Sequence, residues 1–140
     1  MSYPVRDARE RIQTAHQPII AAINDCATQV AAPWDTARTT NPDAVVDPLR
    51  RALAERGVLA ELVSLLVDVV EAIGYECHGS PVPAPPYVIV TSRGPMVRVT
   101  IDPGRLVIRF DAFEVLRDPD PERRATYHRC DGVTVSVSLE

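Results

Sequence analysis

The chain has 140 residues, of which 46% are hydrophobic and 24% charged, with a formal net charge of -4. This is about one domain, long enough to bury roughly two thirds of its unfolded surface without disulfides, and the acidic balance argues against nucleic-acid binding without removing a local basic patch. All fifteen basic residues are arginine, which excludes a P-loop lysine, a pyridoxal Schiff base and a lysine aldolase; guanidinium forks bind carboxylates and phosphates but do not shuttle protons.

Met1 to Arg11 is polar and bears both charges, unlike a signal peptide. From Val5 to Val30 the apolar positions Val5, Ala8, Ile12, Ala15, Ile19, Ala22, Cys26 and Val30 step by three and four, which predicts a long amphipathic helix. Pro18 lacks an N–H and clashes with the carbonyl of Thr14, so a kink or break is expected near Gln17. His16 is expected on the polar face of this helix. The single tryptophan, Trp34, sits in a loop from Pro33 to Asn41 and is expected to plug the core beneath it.

Asn41-Pro42 and Asp47-Pro48 each pair a capping residue with proline, so a further helix starts at one of them, and Gly57 is placed to divide it. Val58 to Ile73 is apolar on every face except Glu61, Ser64, Asp68 and Glu71, and Gly74 follows as a C-cap. This helix should be the most buried, with its acidic line a wet stripe rather than paired catalytic carboxylates. The same acidic line makes it a poor membrane span.

Pro81-Val82-Pro83-Ala84-Pro85-Pro86 reads as an extended connector. Strands are expected at Tyr87–Ser92, Met96–Ile101, Arg105–Leu116 and Val133–Leu139, with turns at Ser92–Pro95 and Asp102–Arg105 and a bulge at Asp111-Ala112, where the apolar parity switches. Centring the second turn on Pro103-Gly104 pairs Ile101 with Leu106, Val99 with Ile108 and Val97 with Phe110; the first turn pairs Val90 with Val97 and Val88 with Val99. The other face then holds Tyr87, Ile89, Thr91, Met96, Arg98, Thr100, Val107, Arg109 and Asp111, with Arg98 directly opposite Arg109. Like charges so placed repel, and a carboxylate, a ligand anion or a partner chain would relieve them.

The candidate ligand-binding set is therefore Tyr87, Arg98, Arg109 and Asp111, with Arg93 at the turn tip. Against it stands an ordinary solvated sheet face with Asp111 as counter-ion. Cys77-His78 and His128-x-Cys130 have the inventory of a zinc site but the wrong spacing, so they read as loop residues near strand ends and no metal is expected. No G-x-S-x-G, H-E-x-x-H or glycine-rich phosphate loop is present, so no catalytic residue or cofactor is expected. Three widely spaced cysteines fit a reducing, cytoplasmic setting.

The segment Pro85-Pro86-Tyr87, through Thr91-Ser92-Arg93-Gly94-Pro95 and Arg98 to Arg105-Leu106-Val107, resembles one in a family of small uncharacterised haloarchaeal proteins over about residues 85–117. Lysine poverty and aspartate in excess of glutamate suit that origin. The resemblance implies no activity and carries over no functional residue.

These readings combine into a single α+β domain over residues 1–140, with a helical half at about 5–74, the connector at 81–86 and a β-meander from 87. The helices pack on one face of a four-stranded antiparallel sheet. The expected function is a non-catalytic interaction module, a homodimer or complex subunit joined through the Val5–Val30 seam or the second sheet face. The alternative is a binder of a small anion or nucleic acid through the arginine-bearing hairpin.

Overall fold

The structure, a computed structural model, describes residues 3–140. The Val5–Val30 periodicity becomes two helices, α1 (Pro4–Ala15) and α2 (Gln17–Ala31), parted at His16. The break puts Pro18 in the first turn of α2, where its missing N–H has no intrahelical bond to lose. Ala8, Ile12, Ala22, Cys26 and Val30 are buried as their spacing requires, whereas Ala15 is exposed at the break and Ile23 and Ala27 widen the buried stripe of α2.

His16 does not lie on a polar helix face. The break turns its ring inward, to 15% side-chain exposure, with Nε2 at 2.6 Å from Oδ2 of Asp68. Arg11 donates to both oxygens of the same carboxylate at 2.9 Å. The wet stripe is thus interrupted at Asp68, which ties α1 and the break to the buried helix.

Asn41 caps only a 3-10 turn, Pro42–Ala44, by accepting from the N–H of Asp43. Helix α3 (Val46–Glu55) carries Asp47-Pro48 in its first turn and buries Leu49, Ala52 and Leu53. Gly57, at φ 77, separates it from α4 (Val58–Ala72). Val58, Leu62, Leu65, Leu66, Val69 and Val70 of α4 are all fully buried. Beyond α4, Gly74 at φ 88 lets its own N–H reach the carbonyl of Glu71 and that of Tyr75 reach Val70, a Schellman closure.

The α+β class stands, but the sheet has five strands rather than four, in the order β1-β5-β4-β3-β2. They are β1 (Arg38–Thr39), β2 (Val88–Val90), β3 (Pro95–Ile101), β4 (Gly104–Leu116) and β5 (Thr126–Leu139), and every pairing is antiparallel. The added strand comes from the helical half: Arg38 and Thr39 pair with His128 and Tyr127 at the start of β5, which begins well before the expected Val133. The connector ends in a turn, with the carbonyl of Ala84 accepting from the N–H groups of Tyr87 and Val88.

Both hairpin registers differ by two residues from expectation. The turn after β3 is a two-residue loop, Asp102-Pro103, so Ile101 pairs with Gly104, Val99 with Leu106 and Val97 with Ile108. Only glycine fits at position 104 of this strand, since a Cβ there would stand 2.5 Å from the carbonyl oxygen of Glu140, whose backbone pairs with Arg105 on both sides. The first turn spans Thr91–Gly94, pairing Val90 with Pro95 and Val88 with Val97. A shift of two preserves which face each side chain takes.

The inner face therefore carries Val88, Val90, Val97, Val99, Ile101, Leu106, Ile108 and Phe110 into one core cluster with the helices. The expected bulge lies between Asp111 and Phe113, and its larger part is in β5, where residues 130–133 have no partner on β4. Trp34 covers this end, its ring 5.7 Å from that of Phe113.

Candidate functional site

The expected site residues gather on the sheet face turned away from the helices and at its margin. Going across it, Ile89 pairs with Met96, Met96 with Arg109 and Arg109 with Ser136. In the next row Arg98 pairs with Val107 and Val107 with Ser138; beyond it Thr100 pairs with Arg105. Arg98 is thus not directly opposite Arg109. The two-residue shift sets it opposite Val107, with Arg105 and Arg109 as its two diagonal neighbours at roughly 7–8 Å.

Val107, with Arg98 opposite it and Arg105 and Arg109 two residues away on either side along β4, is only 6% exposed although it lies outside the core cluster. Arg105 is the functional candidate that sequence reasoning missed, although the alternation along β4 with Val107, Arg109 and Asp111 puts it on this face.

Tyr87 and Arg98 border a depression of about 150 Å³ with His78, Pro86, Thr100 and Arg105. Arg98 donates from Nε to the carbonyl of Pro86 at 2.9 Å, which steadies its fork beside that hollow. Arg93, Arg109 and Asp111 border a second hollow of about 220 Å³, with Thr91 and Met96. The five expected residues therefore lie on one face but around two hollows. Among the described residues, Arg93, Arg98, Arg105 and Arg109 form no ion pair within 4 Å, and Asp111, the nearest acidic neighbour along β4, neutralises none of them at contact distance.

The position of Arg93 is fixed through its backbone. Thr91 Oγ1 donates to the carbonyl of Gly94 at 2.9 Å and accepts from the N–H of Arg93 at 3.1 Å. The carbonyl of Arg93 accepts from the N–H groups of Ala112 and Phe113, docking the loop on the bulge. Gly94 permits this approach: at φ 149, a Cβ would stand 1.9 Å from the carbonyl oxygen of Phe110. The tip arginine is exposed on an anchored loop.

Arg129, which sequence reasoning passed over, does the opposite work on the other side of the bulge. Its Nη1 donates to the carbonyls of Ala112, Cys130 and Gly132, and its Nη2 to the carbonyl and Oδ1 of Asn24 on α2. Burial pushes its guanidinium below the ordinary value. It is a clamp between sheet and helix rather than a ligand group.

The four zinc-type residues are not brought together. His78 sits with Asp102 at one end of β4, 2.9 Å away, and His128 lies 3.7 Å from Glu114 near the other end, so about 30 Å of strand separates them. His128 and Cys130 are strand residues of β5, not loop residues. Among the described residues, no group of three or more His, Cys, Asp or Glu could hold a metal ion. All three cysteines are unpaired, and burial pushes each thiol up, with Glu114 adding to the effect at Cys130. Raised thiols are poor nucleophiles at neutral pH.

Among the described residues no helix is long and apolar enough to cross a membrane. The chain belongs to the family described as domain of unknown function DUF7988, whose model matches residues 6–140 and so takes in both the helices and the sheet. No curated protein and no solved structure matches it.

Proposed function

We propose that this chain is a non-catalytic interaction module of one domain that docks an acidic protein segment on the outer face of its sheet. The observation that carries the reading is the set Arg93, Arg98, Arg105 and Arg109, four cations on an uncovered face without a contact carboxylate, in a chain whose net charge is -4. Cations held near one another repel, and an anionic partner turns that repulsion into affinity and orientation. Arginine suits the task because its planar fork takes carboxylates two-pronged.

A protein partner fits better than single-stranded nucleic acid. Between the arginines lie Ile89, Met96 and Val107, while Tyr87 at the margin is the only aromatic residue of the set; nucleic-acid platforms rely on several stacking rings. The Val5–Val30 seam, the other surface expected to seat a partner chain, is spent on internal packing, since Ala8, Ile12, Ala22, Cys26 and Val30 all belong to the core. A continuous core shared by helices and sheet supports the single-domain reading. Unpaired thiols are consistent with a cytoplasmic setting, and the lysine-free composition with a haloarchaeal source.

The test is fluorescence anisotropy with a short labelled peptide of alternating Glu and Leu, beside a single-stranded oligonucleotide of equal charge. The peptide should bind, and Arg98→Glu with Arg109→Glu should weaken it at least about tenfold. Circular dichroism confirms that the double variant folds. Equal peptide affinity in wild type and double variant overturns the reading, and stronger binding of the oligonucleotide replaces it with the nucleic-acid alternative.

A further inference from the structure

At the opposite edge of the sheet, beside β1, Trp34 divides two adjoining depressions of unlike character. On one side is a mainly apolar cleft of about 390 Å³ between α2 and α3, walled by Val30, Pro33, Ala44, Pro48 and Ala52, with Gln29, Arg51 and Glu55 also in its lining. On the other is a more polar hollow of about 510 Å³, bordered by Arg38, by the acidic Asp35 and by the hydroxyl-bearing Thr36, Thr39, Thr40 and Thr126. Volumes of this order are those of small-molecule sites, whose lining is mainly apolar with a few polar groups that fix orientation.

The walls are preformed. Pro33 and Pro48 have fixed φ angles, and Asn41 caps the 3-10 turn that carries Ala44. Thr36 Oγ1 accepts from the N–H of Arg38, and Thr39 Oγ1 from that of Asn41. Two groups at the boundary are open to a ligand, the exposed Arg38 and the buried indole of Trp34. Arg38 has no ion pair within 4 Å among the described residues, and the indole Nε1 of Trp34 is the one buried side-chain polar atom among them without a hydrogen bond. Tryptophan ordinarily finds an acceptor for that N–H when it is buried, and an unmade buried bond is costly.

We propose that Trp34 and the two depressions form a binding site for a small amphipathic carboxylate. The apolar tail lies between α2 and α3, and the head group meets the Arg38 fork and the threonine hydroxyls. Binding turns the indole so that its N–H gains the head group as acceptor, and it gives Arg38 a bidentate anion. The site is separate from the arginine face, since β1 and β2 are the two opposite edge strands.

Trp34 is the chain's one tryptophan, so its emission reports the site directly. Octanoate is the probe, titrated into the full chain below its micelle concentration, with octanol as the headless control. The expected result is a saturable change in emission. Arg38→Gln and Ala44→Leu should each weaken octanoate at least about tenfold, one by removing the anion anchor and the other by filling the tail cleft. Octanol should bind at least about tenfold more weakly than octanoate. Circular dichroism and thermal melting establish that both variants fold. No saturable change with wild type, or equal octanoate affinity in wild type and both variants, overturns the proposal; the second outcome would mean adsorption to the surface at large.

Discussion

Replacing Arg129 with leucine should cost about 3 kcal/mol of stability. Its guanidinium is the hydrogen-bond partner of three bulge carbonyls, Ala112 at 3.0 Å, Cys130 at 2.6 Å and Gly132 at 3.2 Å, and of Asn24 on α2. A buried carbonyl left without a partner costs about 1–3 kcal/mol. The clamp is half-buried, so water reaches part of it and the lower figure applies to each, giving about 3 kcal/mol for the bulge. Loss of the α2 tie adds about 1 kcal/mol, and relief from burying a charge with no carboxylate partner returns a similar amount.

Against a total stability of about 5–15 kcal/mol, this is a large share, equivalent to a fall of about 10 °C in Tm for a chain of this length. Urea and thermal unfolding followed by circular dichroism measure it. Arg129→Lys separates geometry from charge: a lysine ammonium cannot reach three carbonyls and α2 together, so most of the loss should persist. Asn24→Ala should cost about 1 kcal/mol. An Arg129→Leu variant within about 0.5 kcal/mol of wild type, the range of an ordinary surface change, or a fully stable Arg129→Lys, would refute the clamp.

The Asp68 carboxyl is held down to about 2 from an ordinary 3.8, first by the Arg11 hydrogen bond and then by His16, with burial opposing. A folded value below the unfolded one stabilises at pH above about 3.8, and that contribution is lost as pH falls towards 2. The side chain is about a third exposed, so solvent screening cuts the effect to about 1 kcal/mol. Asp68→Asn should lower stability at neutral pH by about that amount and flatten the pH dependence between 4 and 2, read from urea midpoints; an unchanged slope would contradict it. Gly94→Ala forces a Cβ into the Phe110 carbonyl, so the loop must lift away and break both bonds to the carbonyl of Arg93. A loss of about 2–4 kcal/mol is expected, with hydrogen exchange showing the Ala112 and Phe113 amides deprotected; full protection in the variant would disprove the docking.

Much of this architecture is legible locally. The three-and-four spacing along residues 5–30, the break before Pro18, the division at Gly57 and the Gly74 cap each depend on residues within a turn or two, and each is realised. The bulge at Asp111-Ala112 is likewise written in the parity switch of β4. Ile89, Met96, Arg98, Thr100, Val107, Arg109 and Asp111 fall on the expected side of the sheet even though both registers differ by two, because side-chain direction repeats every two residues and an even shift leaves it unchanged.

What the sequence by itself determined is therefore which residues face the core and which face away, since that follows from periodicity along each element. The tertiary structure decided who meets whom across elements. Gly104 belongs to the strand because it pairs with Ile101, and glycine is required there because the end of β5 passes too close for a Cβ. Thr126 to Gly132 became strand because Arg38 and Thr39 pair with its start and Arg129 satisfies the bulge carbonyls from within. The meeting of Arg11, His16 and Asp68, and of Arg105 with Arg98 and Arg109, joins residues whose order along the chain carries no signal of contact. Local backbone preference can be summed along a sequence, whereas hydrogen-bond closure and steric fit exist only between segments already brought together.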